Sequence, residues 1–407
     1  MSDTEMQRIY TGIIREHFKK YQQMVFLVGP RQAGKTTASV MVREFMKNFY
    51  YLNWDNLDHR KIILEGVESV AGFAGLDKLH TEIPAVVFDE VHKYGKWKTF
   101  LKGFFDTYKG KVNIIVTGSS RLDVYKKGGD SLMGRYFLYR LHQLSVRELL
   151  KTNFSEKEIQ EPLKPGEGLM EMLLNNGGFP EPFIKNDRKF LNRWRTLRRH
   201  QLVREDIRDL SRIQELGQIE LLVEILKHHS GQLTNYSALA NKINVSSMTI
   251  SRWIKTLHGF FYLFTVQPWS VNIPRALIKE PKTYLWDWAD VEDEGRRWEN
   301  FVASHLLKSV HYWTDCGFGN FALWFVRDKE KREVDFLVTR DKMPWFLVEA
   351  KLSQRAGLSK NLAYFQEKTG AEHAFQVIRD MEYVPADCFK HKKPVIVPGK
   401  TFLSQLI

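Results

Sequence analysis

The sequence predicts an α/β protein: a parallel sheet flanked by helices in its first third, then a helical region, then a second α/β part. Three observations carry this expectation. Short apolar runs alternate with helix-periodic stretches through residues 1–150. A glycine-bounded loop ending in Lys-Thr follows the first of those runs. A later run ends in two adjacent carboxylates. Alternating strand and helix is the pattern of a parallel sheet covered on both faces.

The elements follow in order. Residues 24–29, MVFLVG, are a short apolar run closed by glycine, as in a buried parallel strand. A helix is expected from Lys35. Further strands are expected over residues 50–55 (YYLNWD), 84–90 (PAVVFDE) and 112–120 (VNIIVTGSS), with helical patterns between them. From about Ser145 helical periodicity takes over, and residues 191–212 are strongly basic. The stretch from IELLVEILKHH to Tyr262 reads as three short helices, and FFYLFTVQPW as a hairpin. After Pro274 the pattern is mixed again. RRWENFVASHLLKSV (296–310) reads as an amphipathic helix, and FALWFVRD, REVDFLVTR and WFLVEAKLS as strands. No internal repeat or low-complexity linker interrupts the chain. The expected parts are therefore residues 1–150, 151–274 and 275–407.

Bulk properties bound the function. The 407 residues exceed one ordinary core. With 43% hydrophobic and 27% charged residues the chain reads as globular. It has no apolar run of 18 residues, so no membrane helix is expected, and its charged N-terminus lacks the apolar core of a secretion signal. Two cysteines, Cys316 and Cys388, are too few for a disulfide framework, which points to a reducing cytoplasm. A net charge of +13 attracts nucleic acid or acidic proteins without specifying either.

The loop reads Gly29-Pro30-Arg31-Gln32-Ala33-Gly34-Lys35-Thr36, with Thr37 next. Glycines at both ends let the backbone turn tightly, so that its N–H groups surround phosphates. Lys35 is placed to reach the β- and γ-phosphates of ATP, and the Thr36 hydroxyl to ligate Mg²⁺. Strand before and helix after is the context this phosphate-binding loop requires. The run AVVFDE ends in Asp89 and Glu90. At the carboxyl end of a parallel strand, Asp89 is placed to hold Mg²⁺ and Glu90 to orient and deprotonate water. The next run ends in Thr117-Gly118-Ser119-Ser120. Ser119 is the first choice, and Ser120 the second, for a polar contact to the γ-phosphate or water. Arg135 and Arg121 are candidates to neutralise charge on the transferred phosphoryl, from the same or a neighbouring subunit.

These residues resemble a known group. GPRQAGKTT, VFDEVHKYGKWKTFLKGFFD, VTGSS and SLMGRYFLYRLHQLSVREL are similar to the AAA-family ATPases of bacteria and archaea, and the resemblance continues through GGFPEPF (177–183) into EVDFLV and VEAK. It implies a P-loop NTPase fold, ATP binding, and a C-terminal domain of unknown function. Lys35 and Thr36 match the family loop, and Gly134-Arg135 matches its Gly-Arg, which favours Arg135. AAA-type sites often lie at subunit interfaces, so a homo-oligomer is compatible with the resemblance.

Two further patterns lie downstream. LTNYSALANKINVSSMTISRWIKTLHGF has a helix-turn-helix layout, with a good N-cap at the turn Val245-Ser246-Ser247, and FYLFTVQPW as a wing. Ser247, Thr249, Arg252 and Lys255 are the residues that could face DNA; a protein-packing lid is the alternative. In the last part, Glu299 lies on a helix, Asp335 in EVDFLV, and Glu349 and Lys351 two apart in VEAK, on one face of a strand. Glu333 shares a face with Asp335, and either could be a metal ligand. This resembles the restriction-endonuclease fold with its Asp…Glu-x-Lys signature, which implies Mg²⁺-assisted phosphodiester cleavage.

The expectation is an ATP- and Mg²⁺-dependent ATPase, coupled to DNA through a winged helix and a nuclease-like C-terminal domain. The alternative is a nucleotide-dependent switch whose C-terminal domain binds another protein and cuts nothing.

Overall fold

A computed structural model describes residues 6–118, 132–207, 215–270, 280–355 and 357–407. The chain divides into two compact units. Unit 1 comprises residues 1–143 with 151–154, and unit 2 comprises 144–150 with 155–407.

Unit 1 opens with helix α1 (Ile9–Lys20) and strand β1 (Met24–Val28). Then follow α2 (Lys35–Val40), β2 (Phe49–Asn53), α3 (Leu57–Glu65), α4 (Val67–Phe73), β3 (Ala85–Asp89), α5 (Trp97–Tyr108), β4 (Asn113–Gly118) and β5 (Tyr136–Arg140). The sheet order is β2-β3-β4-β1-β5, and every pairing is parallel. All residues of β1 and β3 are buried, as a sheet covered on both faces demands. Phe26 and Val28 of β1 and Phe88 of β3 share one core with Phe100, Leu101 and Phe104 of α5. Strand β5 was not foreseen. Its residues are mostly half-exposed, because it is the sheet's edge, so it lacks the continuous apolar run that marks a central parallel strand.

In unit 2, α6 (Val146–Leu150), α7 (Leu169–Asn176), α8 (Pro180–Lys185) and the basic α9 (Arg188–Gln201) come first. Next come α10 (Leu216–His228), α11 (Tyr236–Ile243) and α12 (Ser247–Gly259), the three short helices expected. They pack through Leu222, Leu226, Leu239, Ile250, Trp253 and Leu257. A seven-stranded sheet follows, built from β6 (Leu263–Pro268), β7 (Lys282–Leu285), β8 (Phe321–Arg327), β9 (Glu333–Arg340), β10 (Met343–Lys351), β11 (His373–Ile378) and β12 (Val395–Pro398). Its order is β12-β11-β10-β9-β8-β6-β7. Strands β8, β9 and β10 form an antiparallel meander, whereas β10, β11 and β12 are parallel. Helix α13 (Glu294–Asp315) precedes β8, α14 (Lys360–Thr369) precedes β11, and α15 (Gly399–Gln405) closes the chain.

Three expectations change here. FFYLFTVQPW supplies one strand, β6, rather than a hairpin. Its antiparallel partner β7 comes only after residues 271–279, which lie outside the described residues. Strand β6 also pairs in parallel with β8, so the sheet spans the division expected at residue 274. Helix α13 is not amphipathic: from Trp298 to Trp313 it is buried nearly all round. Its polar residues are tolerated because each finds a partner, as buried polar groups must. Asn300 donates to the Leu285 carbonyl at 2.8 Å, and His305 Nε2 accepts from the Val146 amide at 3.0 Å. Lys308 pairs with Glu148 at 2.5 Å.

Candidate functional site

The phosphate-binding loop occupies the turn between β1 and α2. Gly29 has no room for a side chain: a Cβ there would lie 2.2 Å from the Leu141 carbonyl oxygen. Gly34 has φ +92° at the position that starts α2, a left-handed conformation that favours glycine. The Lys35 ammonium donates to the Gly29 and Pro30 carbonyls at 3.1 and 2.7 Å, so it lies over the loop it would serve. Burial pushes the Lys35 pKa down to about 8, against the pull of Glu90 and Asp89. The loop is braced from the N-terminal segment. Arg8, 2% exposed, donates to the carbonyls of Ala33 and His142.

Asp89 ends β3 and is 4% exposed. Its Oδ2 accepts from the Thr36 hydroxyl at 3.0 Å and from the Tyr51 hydroxyl at 2.5 Å; its Oδ1 accepts from the Thr117 hydroxyl. Strand order explains this convergence. Strand β4 lies between β1 and β3, so Thr117 at its carboxyl end faces Asp89; β2 flanks β3 on the other side and brings Tyr51. Burial and the Asp89 carboxylate raise the Tyr51 pKa, which keeps its phenol a neutral donor. Glu90 follows β3 with φ +56°. Its carboxylate lies 3.6 Å from both His92 and Lys93. Burial raises its pKa above the ordinary carboxylate value, Lys93 opposing and Asp89 assisting.

The loop, Lys35, Thr36, Asp89 and Glu90 thus gather at the carboxyl edge of one sheet, and Thr37 follows on α2. Ser119, Ser120 and Arg121 lie outside the described residues. Arg135 is elsewhere. Its carbonyl accepts from the Met24 amide at the opposite, amino end of β1. At ~3.3 Å per residue, roughly 17 Å of strand separates that point from Gly29. Its guanidinium forms a two-pronged pair with Asp106 at 2.8 and 2.9 Å. A contact from Arg135 to phosphate within its own subunit is thereby overturned: chain direction in a parallel strand fixes which edge a flanking residue occupies.

The sequence reading missed Tyr51, Thr117 and Arg8. Thr117 carried a usable signal, because it is the polar residue that closes an apolar run, where a parallel strand reaches the carboxyl edge of its sheet. Tyr51 carried none, because only strand order reveals that β2 neighbours β3.

A second cluster lies in unit 2. Glu299 of α13, Glu333 and Asp335 of β9, and Glu349 and Lys351 of β10 come together as expected, but with an added residue, Lys282 of β7. Lys282 Nζ lies 2.7 Å from Glu333, 3.3 Å from Glu299 and 3.4 Å from Asp335. Arg327 also pairs with Glu333 at 2.8 Å, Lys351 pairs with Glu349 at 2.9 Å, and Asp335 Oδ2 accepts from the Ala350 amide at 3.0 Å. The Tyr284 hydroxyl donates to Glu299 at 2.7 Å. Burial alone would lower the Lys282 pKa, but Glu299, Asp335 and Glu333 outweigh it and keep the ammonium charged. Burial pushes Glu299 up to about 7, Asp335 adding and Lys282 opposing. Among the described residues, no group of three or more His, Cys, Asp or Glu side chains has a geometry suited to a metal ion.

On α12, Ser247, Arg252 and Lys255 are exposed and Thr249 is half-buried. The N-cap forms as expected: Ser246 accepts from the Thr249 amide at 3.0 Å. Among the described residues no helix is long and apolar enough to cross a membrane.

Comparison with known families divides the chain in three. Residues 21–150 match an AAA domain; residues 167–289 and 294–392 match two domains of unknown function, DUF8612 and DUF4143. Two similar curated proteins, uncharacterised proteins of Mycobacterium bovis and Mycobacterium tuberculosis, are each 22% identical over 393 residues, covering 89% of this chain and 80% of the relative. Among solved structures, C. elegans PCH-2 is 14% identical, covers 61% of this chain and 70% of its own, and gives a TM-score of 0.26. A signal-transduction ATPase with numerous domains and a tetratricopeptide repeat sensor, from Pyrococcus horikoshii, is 12% identical, covers 74% and 47%, and gives 0.27. Neither value indicates a shared overall fold. Residues 21–150 are thus similar to AAA domains, the likeness that bears on the phosphate-binding loop.

Proposed function

We propose that this chain, through its AAA domain, binds ATP with Mg²⁺ and hydrolyses it, with DNA as the partner of its C-terminal half. The carrying observation is the convergence of Lys35, Thr36, Asp89 and Glu90 on the loop bounded by Gly29 and Gly34. The adjacent hydroxyl and carboxylate oxygens of Thr36 and Asp89, 3.0 Å apart, are a hard donor set that fits Mg²⁺. The ion, when bound, would neutralise phosphate oxygens. Lys35 leaves the Gly29 and Pro30 carbonyls for the β- and γ-phosphates. Glu90 orients a water and takes its proton as the new bond to the γ-phosphorus forms and the bond to the β-bridging oxygen breaks. Tyr51 and Thr117 hold Asp89 in place. Arg135 can reach phosphate only across an interface, from another copy of the chain, which suits a homo-oligomer.

The exposed Arg252 and Lys255 on a capped helix of a three-helix group support DNA contact in the helix-turn-helix manner. The order α13, antiparallel β8-β9-β10, α14, parallel β11 supports a restriction-endonuclease-like fold, with Asp335 and Glu349-x-Lys351 on neighbouring strands.

The test is steady-state ATP hydrolysis with and without DNA. Lys35→Ala should abolish nucleotide binding, and Glu90→Gln should bind ATP normally yet lose at least ~100-fold in kcat. Wild-type turnover in Glu90→Gln would sink the hydrolytic assignment. Hydrolysis indifferent to DNA would instead favour the protein-binding switch.

A further inference from the structure

The acidic cluster of unit 2 has the residues of a divalent-metal site but a different cation inside it. A metal bridging Asp335 and Glu349 needs carboxylate oxygens free to approach at ~2.0–2.6 Å. Here the Lys282 ammonium stands within 3.4 Å of three carboxylates, and its side chain is 4% exposed. Other acceptors are engaged too: Asp335 Oδ2 by a backbone amide, Glu349 Oε1 by Lys351, and Glu333 by Arg327. Glu349 Oε2 is buried without a hydrogen-bond partner. Four carboxylates meet three fixed cations, so the set is nearly neutral. A metal would add two positive charges beside a buried ammonium that cannot retreat to solvent.

The origin of Lys282 explains how it gets there. It opens β7, which pairs with β6 (Val266 opposite Lys282), and β6 joins β7 to β8 in the common sheet. The antiparallel pairing of β7 with β6 thereby delivers a lysine to carboxylates held by β9 and α13.

We propose that Lys282 takes the place of the divalent metal in this cluster, so that the domain binds no Mg²⁺ there and does not cleave phosphodiesters. The proposal rests on the restriction-endonuclease-like reading of this part and gives it a non-cutting form: the cluster is an internal cross-brace among β7, α13 and β9.

The experiment is Mn²⁺ binding to the full chain without nucleotide, by titration calorimetry and by the loss of the free-ion paramagnetic resonance signal. The proteins are wild type, Asp335→Asn, Lys282→Met, Lys282→Gln, and each Lys282 variant combined with Asp335→Asn. Wild type and Asp335→Asn should bind Mn²⁺ identically. The Lys282 variants should gain one site, at least tenfold tighter than any in wild type, and lose it with Asp335→Asn. An Asp335-dependent site in wild type, or Mn²⁺-dependent plasmid cleavage that Asp335→Asn abolishes, overturns the proposal but strengthens the nuclease-like reading. No gained site in folded Lys282 variants overturns the proposal and the nuclease-like reading together. Should neither Lys282 variant fold, the comparison of wild type with Asp335→Asn decides by itself: identical binding supports the proposal, and a site lost in Asp335→Asn overturns it.

Discussion

Single residues in unit 1 are tuned by burial. Lys35 has its pKa pushed down to about 8, mainly because its ammonium is removed from water. Triphosphate favours the charged form, so ATP must draw the pKa back up. Binding near pH 8 should therefore take up protons, and at pH 6.5 it should take up almost none. Calorimetry in buffers of different ionisation enthalpy reads this directly; an uptake unchanged in Lys35→Ala would assign it to another group. Glu90 is shifted upward by burial, so kcat should rise with pH through a value above that of an ordinary glutamate. Asp89 shows how a single carboxylate organises a site: three hydroxyls, from Thr36, Tyr51 and Thr117, converge on it from separate elements.

At the scale of elements, helix α13 shows burial overriding periodicity. Its sequence carries Asn300, His305 and Lys308 where an amphipathic helix would face water, yet all three are buried. Burial pushes His305 down to about 3, so the ring is neutral and accepts from the Val146 amide. Lys308 and Glu148 are 2% and 1% exposed in their side chains. Lys308→Met takes the Lys308 ammonium away from the buried Glu148 carboxylate. The expected loss of stability is about 3–5 kcal/mol by chemical denaturation. Pairing Lys308→Met with Glu148→Leu should recover most of it. A loss under ~1 kcal/mol in the single variant would mean that water reaches the pair.

At the scale of the whole molecule, the question is what ATP turnover is coupled to. If α12 contacts DNA, Arg252→Ala with Lys255→Ala should weaken binding about equally for all sequences. The slope of log affinity against log salt should become shallower by about 2. DNA stimulation of hydrolysis should fall with it, while basal hydrolysis stays at the wild-type value. An unchanged slope would remove α12 from the interface. Arg135 belongs to this scale as well: its guanidinium pairs with Asp106 at the amino edge of the sheet, away from the phosphate-binding loop of its own chain.

Local pattern alone made much of this protein legible. The loop from Gly29 to Thr36, the acids Asp89 and Glu90, the alternation that builds a parallel sheet and the cap at Ser246 are short-range signals, because backbone turning and strand ends are decided by neighbours in sequence. Strand order is not such a signal. It placed Thr117 and Tyr51 against Asp89, sent Arg135 to the far edge, made β5 an unforeseen edge strand, and joined β6 and β7 to a sheet beyond them. The same long-range pairing carried Lys282 across 53 residues to Asp335. Which charge neutralises a carboxylate in a folded chain depends on what the sheet brings alongside it, and no spacing along the sequence records that.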